Sequence, residues 1–198
     1  MTVFHLLRHG ERASGRVLVG RMPGIGLTER GRAEIAAMAE RLAGDNIAAI
    51  YSSPLQRTRE SAEIVAERLN LPIAFRDELL ELDFGDWTGK TFDQIRTDPH
   101  WPPWNTRRSL SRIPGGESMR EVQRRIVEAL LQIGEHHPDA AVVVVSHGDV
   151  IRAALLFALA MPLDFYNRIE VAQGSVSTVR IDAGGPRVIS INERPRLG

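Results

Sequence analysis

The chain contains no cysteine in 198 residues, which removes disulfides, thiolate metal ligands and thiol nucleophiles at once and fits a reducing compartment. Lysine is nearly absent too, with Lys90 the only one among 25 Lys and Arg residues, so an arginine means little by type and must be judged by position. The basic residues are balanced by 25 acidic ones, a formal net charge of +0 that gives no global attraction to nucleic acid or to an anionic membrane. Any anion site must be local. No apolar run approaches the ~20 residues of a membrane-spanning helix. The first residues lack the basic flank and cleavage pattern of a secretory signal, so a cytoplasmic protein is expected. A homodimer is one arrangement the sequence allows.

What is present is enough apolar residue, 43%, for one sizeable core. Residues 3–7 read as a short buried strand, and residues 28–43 as an amphipathic helix capped by Thr28, with Ile35, Met38, Ala39 and Leu42 on one face. After a strand at Ile47–Ser52, Ser53-Pro54-Leu55-Gln56 supplies an N-cap serine, a first-turn proline and a capping-box glutamine for a helix to about residue 69. A third strand is expected at 72–76. Residues 91–116, with Trp101, Pro102, Pro103 and Trp104, show no clean periodicity and are expected to form an irregular insert over the core. Ser118 and Glu121 form a capping box for a helix to about residue 136, and residues 140–146 are apolar enough for a central strand buried on both faces. A helix over 148–160, stopped by Pro162, and a hairpin of 175–181 with 187–192 complete the chain. Alternating strands and helices imply a single α/β domain, a three-layer sandwich with a mostly parallel sheet flanked by helices.

In such a fold ligands bind beyond the carboxyl ends of the strands. Three segments reach that rim: Arg8-His9-Gly10-Glu11 after the first strand, Ser53 to Arg57 after the second, and Ser146-His147-Gly148 after the central one. A histidine beside an arginine and a glycine that admits close backbone approach suits attack on phosphorus. Arg8 and Arg57 offer forked N–H donors to phosphate, a helix start near Arg57 adds a favourable dipole, and His147, if protonated, adds a donor. Taken singly, His9, His147 and Arg57 would be an ordinary structural histidine, a strand-end histidine and a helix-surface arginine; their convergence favours an active site.

Together these segments resemble the histidine phosphatase superfamily, also called the phosphoglycerate mutase-like family, and the resemblance runs along essentially the whole chain, 1–198. It implies that His9 carries the phosphoryl group, that Arg8, Arg57 and His147 hold phosphate, and that an acidic residue before Phe84-Gly85-Asp86-Trp87 donates the proton. Glu81 fits that spacing, with Asp83 as the competing choice. The pattern departs from the family after Glu11, where Arg12 replaces the usual hydroxyl residue and a common Trp-Asn pair is missing; Arg12, Arg16 and Arg21 are left open as phosphate contacts. Mutases of the family place polar residues where Leu82 and Phe84 stand, whereas Gly85-Asp86-Trp87 and Pro114-Gly115-Gly116 look more like the broad-specificity and α-ribazole phosphatases. A phosphomonoesterase acting on a small-molecule phosphomonoester is therefore expected, with a phosphoglycerate mutase or a non-catalytic phosphate binder as alternatives.

His136 and His137 suit a helix C-terminus, and His5 and His100 carry no motif. Trp87, Trp101 and Trp104 either line the pocket or pin the insert. Gly24, Gly26 and Gly31 make no dinucleotide fingerprint, and histidines at helical metal spacing are lacking, so neither cofactor nor metal is expected. A serine hydrolase built on Ser146 or Ser53 with His147 lacks the Gly-Xaa-Ser-Xaa-Gly elbow.

Overall fold

The structure, a computed structural model, describes residues 1–13 and 17–194. In chain order its strands and helices are β1 (Thr2–Arg8), α1 (Glu29–Leu42), β2 (Ile47–Ser52), α2 (Gln56–Leu69), β3 (Ile73–Phe75), α3 (Phe92–Ile95), α4 (Trp101–Thr106), α5 (Met119–His136), β4 (Ala141–Ser146), α6 (Gly148–Ala158), β5 (Val176–Asp182) and β6 (Gly185–Glu193). The strands form one sheet in the order β3-β2-β4-β1-β5-β6. The first four positions in that order are parallel; β5 and β6 add an antiparallel edge.

β4 is central because its Val142 to Val145 can be buried on both faces. The two-residue period of the strands divides the core. Val142, Val144, Phe4 and Leu6 pack toward α5 and α6, while Val143, Val145, Leu7 and Ile50 pack toward α1 and α2. Helix layers on both faces follow, and this is the three-layer arrangement expected. Thr28 caps α1 by accepting from the Gly31 N–H at 3.0 Å, and Ser118 with Glu121 forms the reciprocal capping box of α5. Each such cap is worth about 1 kcal/mol.

The start of α2 differs from expectation. Leu55 is the N-cap and gives no side-chain bond, because Ser53 lies buried beside the end of β4 with its hydroxyl 2.9 Å from His147 Nε2. Residues 91–116 are also more ordered than expected: they contain α3, with its own Thr91–Gln94 capping box, and α4, and they contribute Ile95, Trp104 and Ile113 to the core. Tertiary burial, not periodicity, holds so short a pair of helices. Among the described residues no helix is long and apolar enough to cross a membrane.

Candidate active site

Arg8 and His9 end β1, Arg57 lies in the first turn of α2, and His147 precedes α6, so three parallel strands deliver their next residues to one rim. Arg8, His9 and Arg57 line a pocket of about 270 Å³ that also takes in Glu81, Gly20 and Gly148, while His147 is fully buried next to His9 and does not itself line it. The rings of His9 and His147 meet edge to face with centroids 5.3 Å apart. Gly10 permits this layout, since a Cβ there would lie 2.3 Å from the Gly31 carbonyl oxygen.

One hydrogen bond sets the His9 tautomer. His9 Nδ1 donates to the Gly10 carbonyl at 2.8 Å, which leaves Nε2 with a free lone pair. Burial, then the charges of Arg8 and Arg57, hold its pKa well below the usual histidine value, so the ring is neutral. His147 is held neutral in the same way, by burial and then by Arg57, His9 and Arg8. Its Nε2 sits against the Ser53 hydroxyl at 2.9 Å, and its Nδ1 is buried with no hydrogen-bond partner among the described residues. With Nε2 against the Ser53 hydroxyl, Nδ1 is the nitrogen left over for a donor role, and a bound anion would favour the protonated ring that the sequence reading invoked.

Arg8 Nη1 donates to the Val171 carbonyl at 2.6 Å and Arg57 Nη2 to the Gly20 carbonyl at 2.7 Å. These bonds anchor one corner of each guanidinium. Arg8 Nε, Arg57 Nε and Arg57 Nη1 stay buried and unpartnered among the described residues, and burial lowers the Arg57 pKa to about 10. Buried N–H donors without acceptors are costly, so this end of the pocket is preset for an anion.

Glu81 is the acidic group of the pocket. Burial first, and the charge of Asp149 second, raise its pKa to about 7 against the opposing pull of Arg57. Its Oε1 accepts from the Leu82 N–H at 2.9 Å, and Oε2 lies 4.0 Å from His147 Nδ1. The Glu81 carbonyl is gripped by Arg21 Nε at 2.8 Å and Arg125 Nη2 at 3.3 Å, while Glu117 pairs with both arginines. Asp83 is not in the pocket: its Oδ1 accepts from the Gly85 N–H. Gly85 adopts φ +44, and a Cβ on it would meet the Pro114 carbonyl oxygen at 2.3 Å, so a glycine docks this loop on the Pro114-Gly115-Gly116 turn.

The open arginines resolve differently. Arg12 lines the pocket, with Nη1 unpartnered among the described residues; Arg21 braces the Glu81 loop instead; Arg16 lies outside the described residues. Trp101 and Trp104 line the pocket, while Trp87 is fully buried beneath them, donating from Nε1 to Asp98 at 2.8 Å. Phe84 faces the pocket, but Leu82 is buried in the core, so only Phe84 bears on what the pocket admits. Ser146 donates to the Leu79 carbonyl at 2.9 Å, and neither it nor Ser53 lines the pocket.

Sequence reasoning missed the outer wall: Phe92, Arg108, Asp149, Arg152 and Tyr166. Asp149 alone carried a signal, being two residues from His147. Among the described residues no group of three or more His, Asp or Glu is placed to hold a metal ion.

A family model described as "Histidine phosphatase superfamily (branch 1)" matches residues 4–194. The chain is 29% identical over 198 residues to "Phosphoserine phosphatase 1" of Hydrogenobacter thermophilus, covering 98% of this chain and 93% of that one. It is 37% identical over 185 residues to "Bifunctional protein Rv2228c" of Mycobacterium tuberculosis, covering 91% of this chain but only 50% of that protein. Among solved structures, Bacillus stearothermophilus YhfR superposes with a TM-score of 0.89 at 32% identity, covering 96% of each chain.

Proposed function

The chain belongs to the histidine phosphatase superfamily, branch 1, and on that premise we propose that it is a phosphomonoesterase hydrolysing a small phosphorylated metabolite through a phosphohistidine on His9. The substrate phosphate docks on Arg8, Arg57 and the His147 Nδ1–H, beside the N-terminus of α6. His9 Nε2 attacks phosphorus in line, forming the P–N bond as the P–O ester bond breaks. Protonated Glu81 delivers its proton to the departing alkoxide, and the resulting carboxylate then takes a proton from water as that water displaces phosphate from His9. Charge stabilisation in this scheme comes from the guanidinium groups and needs no metal.

One observation carries the reading: a neutral histidine with a free Nε2 and a carboxyl whose pKa is about 7 line one pocket with unpartnered arginine donors. Nucleophile and acid have been pushed in the directions their tasks require. A non-catalytic binder would need the arginines but gains nothing from a Glu81 held protonated. Hydrolysis is favoured over phosphoryl return to a retained substrate by Phe84, which places an aromatic ring rather than hydrogen-bonding groups at the wall, and by the phosphatase name of the Hydrogenobacter relative.

Rapid acid-free quenching during turnover tests this. The expected result is acid-labile, base-stable phosphate on His9, absent in His9→Ala. With 3-phosphoglycerate and added 2,3-bisphosphoglycerate, phosphate release should exceed isomerisation. Unlabelled protein during active turnover refutes the covalent route, and isomerisation exceeding hydrolysis by orders of magnitude makes the protein a mutase.

A further inference from the structure

The outer wall of the pocket contains a charge arrangement that phosphate chemistry does not use. Arg108 is only 7% exposed, yet its Nε is unpartnered and it forms no ion pair among the described residues. Its guanidinium lies over the Tyr166 ring, 3.7 Å from the centroid, and over the Trp104 ring at 4.8 Å. Such stacking engages the flat of the guanidinium and leaves its N–H edges for a ligand. A planar, doubly hydrogen-bonding anion such as a carboxylate fits that edge.

Asp149, on the first turn of α6, is the opposite anomaly: a carboxylate, 14% exposed, lining a pocket otherwise arranged for anions. Its ion pair with Arg152 is loose at 3.6 Å, and the hydrogen bonds of Arg152 go elsewhere, to the Ile169 carbonyl and the Tyr166 hydroxyl. A carboxylate near a bound phosphate dianion raises the energy of the complex unless a cation of the ligand comes with it. Arg12 is not part of this pair, since its charge is felt at His9 and it belongs to the phosphate end.

We propose that Arg108 and Asp149 form a zwitterion subsite, Arg108 taking a carboxylate and Asp149 an ammonium group, so that the favoured substrate is the phosphate ester of a hydroxylated α-amino acid. This deepens the phosphomonoesterase reading and rests on it. The phosphoryl group sits at His9, and the amino-acid end points outward between α4 and α6.

The test uses three alkyl esters with equal need of the Glu81 proton: O-phosphoserine, O-phosphoethanolamine, which lacks the carboxylate, and 3-(phosphonooxy)propionate, which lacks the ammonium. Phosphoserine should exceed each of the others by about 10–100-fold in kcat/KM, the range of a charged hydrogen bond. Arg108→Ala should erase the preference over phosphoethanolamine only. Asp149→Asn should erase the preference over 3-(phosphonooxy)propionate only. Ratios within each variant cancel any general loss of activity or of folded protein. Hydrolysis of p-nitrophenyl phosphate with no preference among the three esters, or preferences untouched by either substitution, overturns the subsite and leaves the hydrolase. If none of the four esters is hydrolysed the hydrolase reading fails, and calorimetry on the intact protein then decides the subsite: tighter binding of phosphoserine than of both analogues upholds it, and equal binding overturns it.

Discussion

Replacing Glu81 by glutamine should have opposite effects on catalysis and on stability. Glutamine keeps the shape and can still sit against the Leu82 N–H, but it has no proton to give. An alkyl alkoxide needs that proton, whereas p-nitrophenolate leaves almost unaided. The loss should therefore be roughly 10²–10⁴-fold on alkyl phosphates, the usual range for a missing general acid, and much smaller on p-nitrophenyl phosphate. Wild-type activity on alkyl esters should fall about tenfold per pH unit above pH ~7, where the buried carboxyl ionises, and the variant should lack that limb.

The stability effect follows from the same carboxyl. Its folded pKa is raised from 4.5 to about 7, so ionisation is harder in the native protein than in the unfolded chain. Stability is then unpenalised below pH ~4.5, declines as pH rises toward 7, and carries the full deficit above it. At ~1.4 kcal/mol per factor of ten the deficit reaches ~3 kcal/mol. Glu81→Gln removes it. Thermal melts at pH 8 should place the variant about 6–12 °C above the wild type, with the gap closing at pH 4.5. Asp83→Asn is the control and should show neither the leaving-group dependence nor the stabilisation. Equal losses on both substrate types, or a variant no more stable at pH 8 than the wild type, would refute the assignment of a protonated, buried acid to Glu81.

A chelator should leave activity unchanged, and loss of rate restored by zinc or magnesium would contradict a site whose charge comes from arginine. Vanadate should inhibit and also raise the melting temperature, because it supplies the acceptors that the buried N–H groups of Arg8 and Arg57 lack; inhibition without stabilisation would point to a different binding place. Gly10→Ala should destabilise by about 1–3 kcal/mol and displace His9, since the new Cβ meets backbone at 2.3 Å, while Gly44→Ala, with nothing within 4 Å, should be near neutral. Comparable melts for the two alanine variants would show that the His9 turn is less tightly packed than its contacts imply.

The convergence of Arg8, His9, Arg57 and His147 on one rim was legible in the sequence because they stand within a few positions of strand ends, and a parallel sheet brings strand ends together whatever the intervening chain does. His9, Arg57 and His147 needed only the strands to be identified, and the apolar run of β4 identified the most important one. Glu81 was accessible only through the resemblance, as no local rule distinguishes a buried carboxyl before a turn from a solvated one. Its burial is tertiary: the loop is drawn down by Arg21, Arg125 and Glu117, residues up to 60 positions away.

The outer wall was illegible for a different reason. Arg108 is one arginine in a chain that uses almost no lysine, and it lies in a stretch whose two helices, of four and six residues, are too short to leave a periodic trace. Its meaning comes from the rings of Trp104 and of Tyr166, 58 residues on, that its guanidinium stacks with. Ser53 shows the converse error. Local grammar made it a helix cap, but β2 and β4 end side by side, so its hydroxyl is held against His147 Nε2 and reaches only the Leu55 N–H, at 3.5 Å, rather than the N–H groups of the first turn. A cap on the surface is worth about 1 kcal/mol; leaving a buried imidazole nitrogen unpaired costs about 1–3 kcal/mol. The larger demand takes the serine, and the same contact leaves Nδ1 as the unpartnered nitrogen of His147 among the described residues. The residue whose local reading failed is therefore the one that packs against the His147 ring.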